Sequence, residues 1–179
     1  MRLPPRFDSP SCRYFYDAWC EVAGGEIVPS SSDFLDHAPV ELMPYAFIHD
    51  IHPEGVIVRF MGTGLVQRWR HDLTGQYFGD QLAQFDRDRL LNFCQTVVHH
   101  PCGMRQIGHM ASSMGRSLSF EAVMLPLRSD SAAPPRVIVF SQILGNMVDK
   151  EHSSDFEQSG MREWIDLGNS IPADAPPAG

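Results

Sequence analysis

A chain of 179 residues is about one domain in length, and a domain of this size buries roughly 70% of the surface of its unfolded chain. The composition is 43% hydrophobic and 20% charged, which is globular and excludes a wholly disordered chain. Twenty-two acidic against fourteen basic residues give a net charge of -8, the wrong sign for binding nucleic acid or an anionic membrane by neutralising phosphates.

The N-terminal residues contain no apolar region of signal-peptide type, and no apolar run approaches the roughly 20 residues that span a bilayer. The four cysteines are spaced without a CxxC pair and are too few for a disulfide framework. We therefore expect a cytoplasmic protein with reduced thiols and no membrane span.

The first predicted element is a helix. Ser9 and Pro10 are suitable as its N-cap and first helical residue, and Gly24 is suitable as its end. Four apolar residues form a narrow seam along it: Cys12, Phe15, Trp19 and Val22. A seam of this kind needs a partner surface, either the helix's own domain or a second copy of the chain, so these four residues are interface candidates for a dimer.

Residues 29–44 are rich in turn-forming residues and predict irregular structure with one short helical turn. Two short apolar runs follow, at 45–51 and 56–61, and the sequence HPEG between them predicts a hairpin. Residues 63–85 indicate short helices and loops. Asp86 then predicts the cap of a longer helix that ends at His100, because Pro101 cannot continue it.

Three further strands are predicted at 103–112, 117–127 and 136–147. In the second, apolar residues alternate with Ser117, Ser119 and Glu121, which indicates a sheet with one strongly apolar face. In the third, residues 137–140 are continuously apolar and predict a central strand that is covered on both sides.

The C-terminal part has a capping box from Ser154 to Glu157, which predicts a helix over 149–168 that ends at Gly168. Residues 169–179 are rich in Pro and Ala and predict a disordered tail. The order of elements favours an α+β fold, in which helices cover one face of an antiparallel sheet.

The Gly62-Thr63-Gly64 turn follows a strand and precedes a helix, so it invites comparison with a dinucleotide-binding loop. Gln67 stands where that motif needs its third glycine, and no lysine of P-loop type follows. The sequence therefore favours a structural hinge, in which Thr63 caps a short helix that buries Leu65 and Trp69.

The segments RFMGTGL (59–65) and DLTG (72–75) carry a family resemblance, together with Asp33-Phe34, Glu121 and LPL at 125–127. In this combination, the chain from about residue 14 to residue 168 resembles a bacterial PAS-type sensory family, the fifth of the PAS groups. The resemblance implies a five-stranded antiparallel sheet with helices over one face and a pocket between them. With the flanking N- and C-terminal helices predicted above, the chain is divided into an N-terminal extension and helix (1–28), a PAS-like core (29–148), a C-terminal helix (149–168) and a disordered tail (169–179).

The resemblance also implies a sensory or interaction module. Since no kinase, cyclase or helix-turn-helix motif is present, we expect a stand-alone module that binds either a small ligand in an apolar pocket or a signalling protein. The expected pocket residues are Phe60, Leu65, Trp69, Phe78, Leu90, Phe93, Val97, Phe120 and Phe140, with Arg59 as a polar candidate. The alternative is a dimerisation or interaction domain in which the same side chains fill the core. Arg59 is expected either to bind an anionic ligand or partner or to hold an acid such as Asp72.

No cofactor is indicated by a complete motif. Cys94 lacks the surroundings of a flavin-binding thiol, and His99 and His100 at the end of their helix are poor candidates for a haem ligand. The same two histidines with Cys102 and His109 lack the spacing of a zinc site. No catalytic motif is present either, and we do not expect an enzyme.

Overall fold

The computed structural model describes residues 5–81, 84–111, 117–130, 132–144 and 161–177. Within these ranges the helices are α1 (Pro10–Ala23), α2 (Ser31–His37), α3 (Thr63–Trp69) and α4 (Gln84–His99). The strands are β1 (Ala46–His52), β2 (Gly55–Met61), β3 (Gly103–Ala111), β4 (Ser117–Leu127), β5 (Arg136–Ile143) and β6 (Arg162–Ile165). Two short 3-10 helices are formed by Met43–Tyr45 and Phe78–Gln81.

All six strands form one antiparallel sheet in the order β2-β1-β5-β4-β3-β6. The predicted α+β class, the hairpin of β1 and β2 and the central position of β5 are confirmed. The described sheet has one strand more than the five that the family resemblance implies, and this additional strand lies at the C-terminal end of the chain.

The additional strand corrects the prediction of a C-terminal helix, because Arg162–Ile165 is the strand β6. It pairs with β3, and Met104 lies opposite Trp164. Without β6, the main-chain groups of β3 on this side would have no strand partner. A helical pattern in the local sequence does not report this pairing, because β3 and β6 are distant along the chain. The Ser154 capping box lies outside the described residues.

The predicted disorder of the tail is also wrong for the part up to residue 177. The Trp164 indole N–H donates to the main-chain carbonyl of Pro176 at 3.0 Å. Ile171 packs against the core, and the His100 ring contacts the main-chain carbonyl of Asn169 at 2.9 Å. The side chains of His100, directly after α4, and of Trp164 on β6 therefore anchor a segment whose own composition is poor in core residues.

Helices cover the sheet on both sides, although the sequence predicts that they cover one side. The side covered by α3 and α4 is called the α4 face here, and the side covered by α1 and α2 is called the α1 face. Each face has its own hydrophobic core. Successive residues of a strand therefore point alternately into two different cores. In a sheet that is covered on one side only, the same alternation places one set of residues in the core and the other set in water.

Local signals explain α1 well. The Ser9 hydroxyl accepts a hydrogen bond from the Cys12 N–H, Pro10 begins the helix, and Gly24 ends it at φ 59. These residues are the N-cap, first residue and C-cap that the sequence predicts. In contrast, α4 begins at Gln84, so Asp86 lies in its first turn and does not cap it.

None of the helices in the described ranges is both long enough and apolar enough to cross a bilayer.

Candidate ligand site

His49 is a polar residue inside the α4-face core. It lies on β1 between Phe47 and Ile51, which point to the same face, and its side chain is 2% exposed. Its neighbours across the sheet are Val58 on β2 and Val137 on β5. Neither ring nitrogen has a hydrogen-bond partner among the described residues. A buried polar group in this condition costs about 1–3 kcal/mol and calls for an explanation.

Aromatic rings surround this imidazole. The ring centroid of His49 lies 5.4 Å from that of Phe47 and 5.1 Å from that of Phe78. Trp69 completes the group, 5.9 Å from Phe47 and 5.7 Å from Phe78. These four residues are called the aromatic cluster. Three different segments, β1, α3 and the 3-10 helix after it, bring them together.

Burial lowers the pKa of His49 to about 4, although the nearby charge of Asp50 acts in the opposite direction. The ring is therefore neutral at pH 7, with one nitrogen that donates and one that accepts. No described partner fixes which nitrogen carries the proton, so the imidazole can present either function to a bound molecule.

The position of Trp69 depends on the Gly62 turn. A Cβ atom at Gly62 would collide with the main-chain carbonyls of Met43 and Pro44. Gly62 is buried and is itself the N-cap of α3, so the prediction that Thr63 is the cap is wrong. The close approach of two main-chain segments explains the glycine and agrees with the predicted structural hinge. The helix then ends at Arg70 in the left-handed conformation, one residue after Trp69.

Residues 70–77, which connect Trp69 to Phe78, are called the strap here. The Asp72 carboxylate accepts hydrogen bonds from both the N–H and the hydroxyl of Thr74, and Gly75 turns the chain at φ 81. The strap then runs along the outer side of β2, where the Gly75 N–H donates to Val58 O at 2.7 Å and the Val58 N–H donates to Gln76 O at 3.0 Å. These bonds hold Phe78 over His49.

Seven of the predicted pocket residues lie on the α4 face. Leu65, Phe78, Phe93 and Val97 are buried there, and Trp69 and Leu90 are partly buried against them. Phe120 lies beside Trp69 and covers Gly108. The structure therefore brings together the helical and strap residues that the sequence proposes for one pocket.

Phe140 is a correction, because it lies on the α1 face, where its ring stacks on Phe15 at 4.9 Å. The neighbouring Val139 points to the α4 face. In a strand covered on both sides, both sets of alternating residues are apolar, so hydrophobicity alone cannot assign a residue to a face.

Phe60 is a second correction, since it is 38% exposed and lies outside the core. His49 pairs with Val58, whereas Ile48 pairs with Phe60, so Arg59 is an extra residue in β2. This β-bulge reverses the alternation, and Phe60 shares the face of Ile48 instead of the face of Val58.

Arg59 lies away from the aromatic cluster and contacts Asp50 at 3.2 Å, on a half-exposed surface. Asp50 is also held by Arg136 at 2.8 Å. The interpretation that Arg59 holds an acid is supported, but the acid is Asp50 and not Asp72, which bonds Thr74 instead.

The predicted interface seam contacts its own domain. Cys12, Phe15 and Trp19 are buried in the α1-face core, and Val22 is partly buried against it. The Trp19 indole N–H donates to Pro126 O at 3.0 Å. Of the two alternatives for this seam, the structure therefore favours docking on the helix's own sheet.

Glu121 is buried, although the alternation along its strand predicts that it lies on a polar face. Its side chain is fully buried and pairs with Arg105 on β3, which also contacts Asp8 and Glu163. Val123 lies two residues further along the same face and is also buried. Apolar residues on both faces of this strand were the signal that the α1 face is covered as well.

The residues considered for metal binding are not brought together. The His109 ring contacts the Ser119 hydroxyl, while His100 contacts main-chain carbonyls of the tail. No group of three residues of metal-binding type is assembled within the described ranges. Cys94 is fully buried in the α4-face core, and burial raises its pKa to about 12.

A sequence model of a PAS domain matches residues 7–141, which is more than half of the chain. No protein among the curated ones matches the chain. The matched residues 7–141 contain α1, the aromatic cluster and most of the sheet.

Solved structures give weaker matches. The Vibrio cholerae VqmA dimer without its target DNA is 13% identical at a TM-score of 0.47, over 56% of this chain and 46% of that chain. VqmA bound to DPO is 12% identical at a TM-score of 0.46, over 55% and 51%. A fungal LOV domain photoreceptor is 11% identical at a TM-score of 0.38, over 55% and 72%. The match to VqmA therefore spans about half of those chains.

Proposed function

The chain belongs to the PAS domain family, and we propose that it acts as a sensory or signalling module that holds a small ligand on the α4 face of its sheet. The single observation that carries this proposal is His49. An imidazole whose two nitrogens have no partner among the described residues is costly in a filled hydrophobic core, whereas in a binding site it orients the ligand.

The surroundings of His49 support a binding site that can open. Phe47 belongs to the sheet. In contrast, Trp69 is the last residue of α3, and Phe78 directly follows the strap. A ligand can therefore enter by displacing Trp69 and the strap, which would break the main-chain bonds between the strap and Val58 but none of the pairings among the six strands. Such a movement would change the surface beside β2 and so carry a signal to a partner.

We expect no catalysis from this site, because a neutral imidazole among aromatic rings offers binding groups but no activated nucleophile beside it. The cytoplasmic location that we expect from the sequence agrees with the proposal.

Native mass spectrometry tests ligand capture directly. The purified protein should show a native mass that exceeds its denatured mass by the mass of a small molecule. The His49→Phe variant should lose this excess, while the control Val40→Ala, at a residue that is 80% exposed, should keep it. Equal native and denatured masses for the wild-type protein would favour the filled-core alternative.

A second candidate function is self-association through the outer side of α1 and α2. A groove of 540 Å³ lies there, lined by Tyr14, Val22 and Pro39 with the acids Glu21 and Asp33. This groove of mixed polar and apolar lining, which includes the partly buried seam residue Val22, is the candidate contact of a dimer. The same native spectra distinguish it, because a dimer that Tyr14→Glu converts to a monomer would support this candidate.

A further inference from the structure

In the part of the chain that the structure describes, His49 has no hydrogen-bond partner, and water fits this position poorly. A buried water molecule needs two to four polar partners. Among the described residues, the ring contacts and cross-strand neighbours of the imidazole are aromatic or aliphatic: Phe47, Phe78, Val58 and Val137. They supply no second polar side chain, so a polar atom carried by an otherwise apolar ligand satisfies His49 better than water does.

The same surroundings disfavour a charged ligand. The cluster contains no ionised side chain, and the neutral ring of His49 cannot balance a charge. Asp50, the nearest acid along β1, is held by Arg59 and Arg136. Arg68, the residue before Trp69, lies over the Tyr45 ring at 5.5 Å.

The shape of the surroundings favours a flat ligand. The centroid distances within the cluster, 5.1–5.9 Å, lie in the range in which aromatic rings pack edge to face or offset. A planar ring inserted between Trp69, Phe78 and the sheet keeps contacts of this kind, whereas a bulky aliphatic molecule replaces them with fewer ring contacts.

On the premise of the proposed function, we propose that the ligand is an uncharged planar ring whose edge carries a hydrogen-bonding group that pairs with His49. A ring amide is the simplest group that suits the site, because its adjacent N–H and C=O can satisfy either nitrogen of the imidazole. The three rings of the aromatic cluster then cover the apolar part of the ligand.

Three ring compounds of similar size separate the contributions of the hydrogen-bonding edge, the apolar ring and the charge. 2-Pyridone has the donor and acceptor edge, benzene has neither, and benzoate adds a negative charge. Dissociation constants for each are measured at pH 7 by NMR titration of the wild-type protein, the His49→Phe variant and the control His99→Gln, whose side chain is exposed.

We expect the wild-type protein and the control to bind 2-pyridone about tenfold more tightly than benzene, and to bind benzoate most weakly. His49→Phe should bind 2-pyridone and benzene equally, because phenylalanine keeps the ring and removes the nitrogens. On the wild-type protein, 2-pyridone should also shift the imidazole nitrogen resonances of His49, a measurement that does not depend on the folding of the variant.

The outcomes separate the two proposals. If none of the three compounds binds, both the ligand site and the proposed ligand class are overturned. If benzene binds as tightly as 2-pyridone, if benzoate binds most tightly, or if the His49 nitrogen resonances do not move, the ligand class is wrong while the site remains.

Discussion

Glu121 holds the N-terminal end of α1, since its carboxylate accepts a 2.6 Å hydrogen bond from the main-chain N–H of Ser9, the N-cap residue. The same carboxylate accepts from the Asp8 N–H at 3.1 Å and pairs with Arg105. Arg105 in turn contacts Glu163 on β6 at 3.0 Å. One buried ion pair therefore ties the first helix, the middle of the sheet and the last strand together.

Replacement of this carboxylate should be costly. Glu121→Gln keeps the shape but leaves Arg105 without its buried counter-ion, and we expect the free energy of unfolding to fall by roughly 3 kcal/mol. Urea denaturation measures the change. Asp17→Asn is the matched control, because it breaks the exposed pair with Arg13 and should cost less than about 0.5 kcal/mol.

The double variant Glu121→Gln/Arg105→Met distinguishes charge from packing. It should be destabilised by less than the sum of the two single variants, because removing both charges leaves neither buried alone. Additive losses would mean that the two side chains act independently.

Gly62→Ala tests the hinge before α3. The new methyl group would meet the main-chain carbonyls of Met43 and Pro44, which cannot rotate away, so we expect a loss of roughly 3 kcal/mol or more in unfolding free energy. Gly79→Ala is the control, since the three atoms nearest to its methyl group would all belong to the side chain of Arg87, which can move. Equal thermal stability of the two variants would contradict the close main-chain contact at Gly62.

The parts of this fold that could be predicted are those whose signals are local. Ser9, Pro10 and Gly24 are local signals that mark the ends of α1 in the sequence, although Glu121 also bonds Ser9 in the folded chain, and the HPEG turn marks the β1–β2 hairpin. The strand β6 could not be predicted in this way. Its residues fit a helical pattern, and they form a strand because β3 offers an unpaired side.

The residues of the candidate site show the same difference between local and long-range signals. Periodicity is sufficient to predict Leu65, Trp69 and Val97 on the α4 face, since each lies on a regular helix. Phe60 was misplaced because a bulge depends on the pairing between two strands. His49 was missed although its signal is local. It lies between Phe47 and Ile51 on the inward side of an apolar strand, and a polar residue at such a position indicates a functional role.

Acid should destabilise the folded protein through His49. The unfolded chain protonates this ring near pH 6.5, whereas the folded chain keeps it neutral down to about pH 4. The unfolded state therefore binds more protons across this window, so stability falls as the pH falls, by roughly 3 kcal/mol for this group. Denaturation of the wild-type protein and His49→Phe at pH 7 and pH 4.5 measures the difference. A wild-type pH dependence no steeper than that of the variant would contradict a neutral, buried His49.

Cysteine alkylation tests how the α1-face and α4-face cores enclose their thiols. Burial raises the pKa of Cys12 and Cys94 to about 12 and that of Cys102 to about 11, while Cys20 is the exposed cysteine of the four. Because the thiolate is the reactive form and must be accessible, iodoacetamide at pH 8 should modify Cys20 first in the folded protein. All four cysteines should react in urea, which serves as the control. Equally fast modification of Cys94 in the folded state would mean that α4 opens away from the sheet and exposes the face on which the aromatic cluster lies.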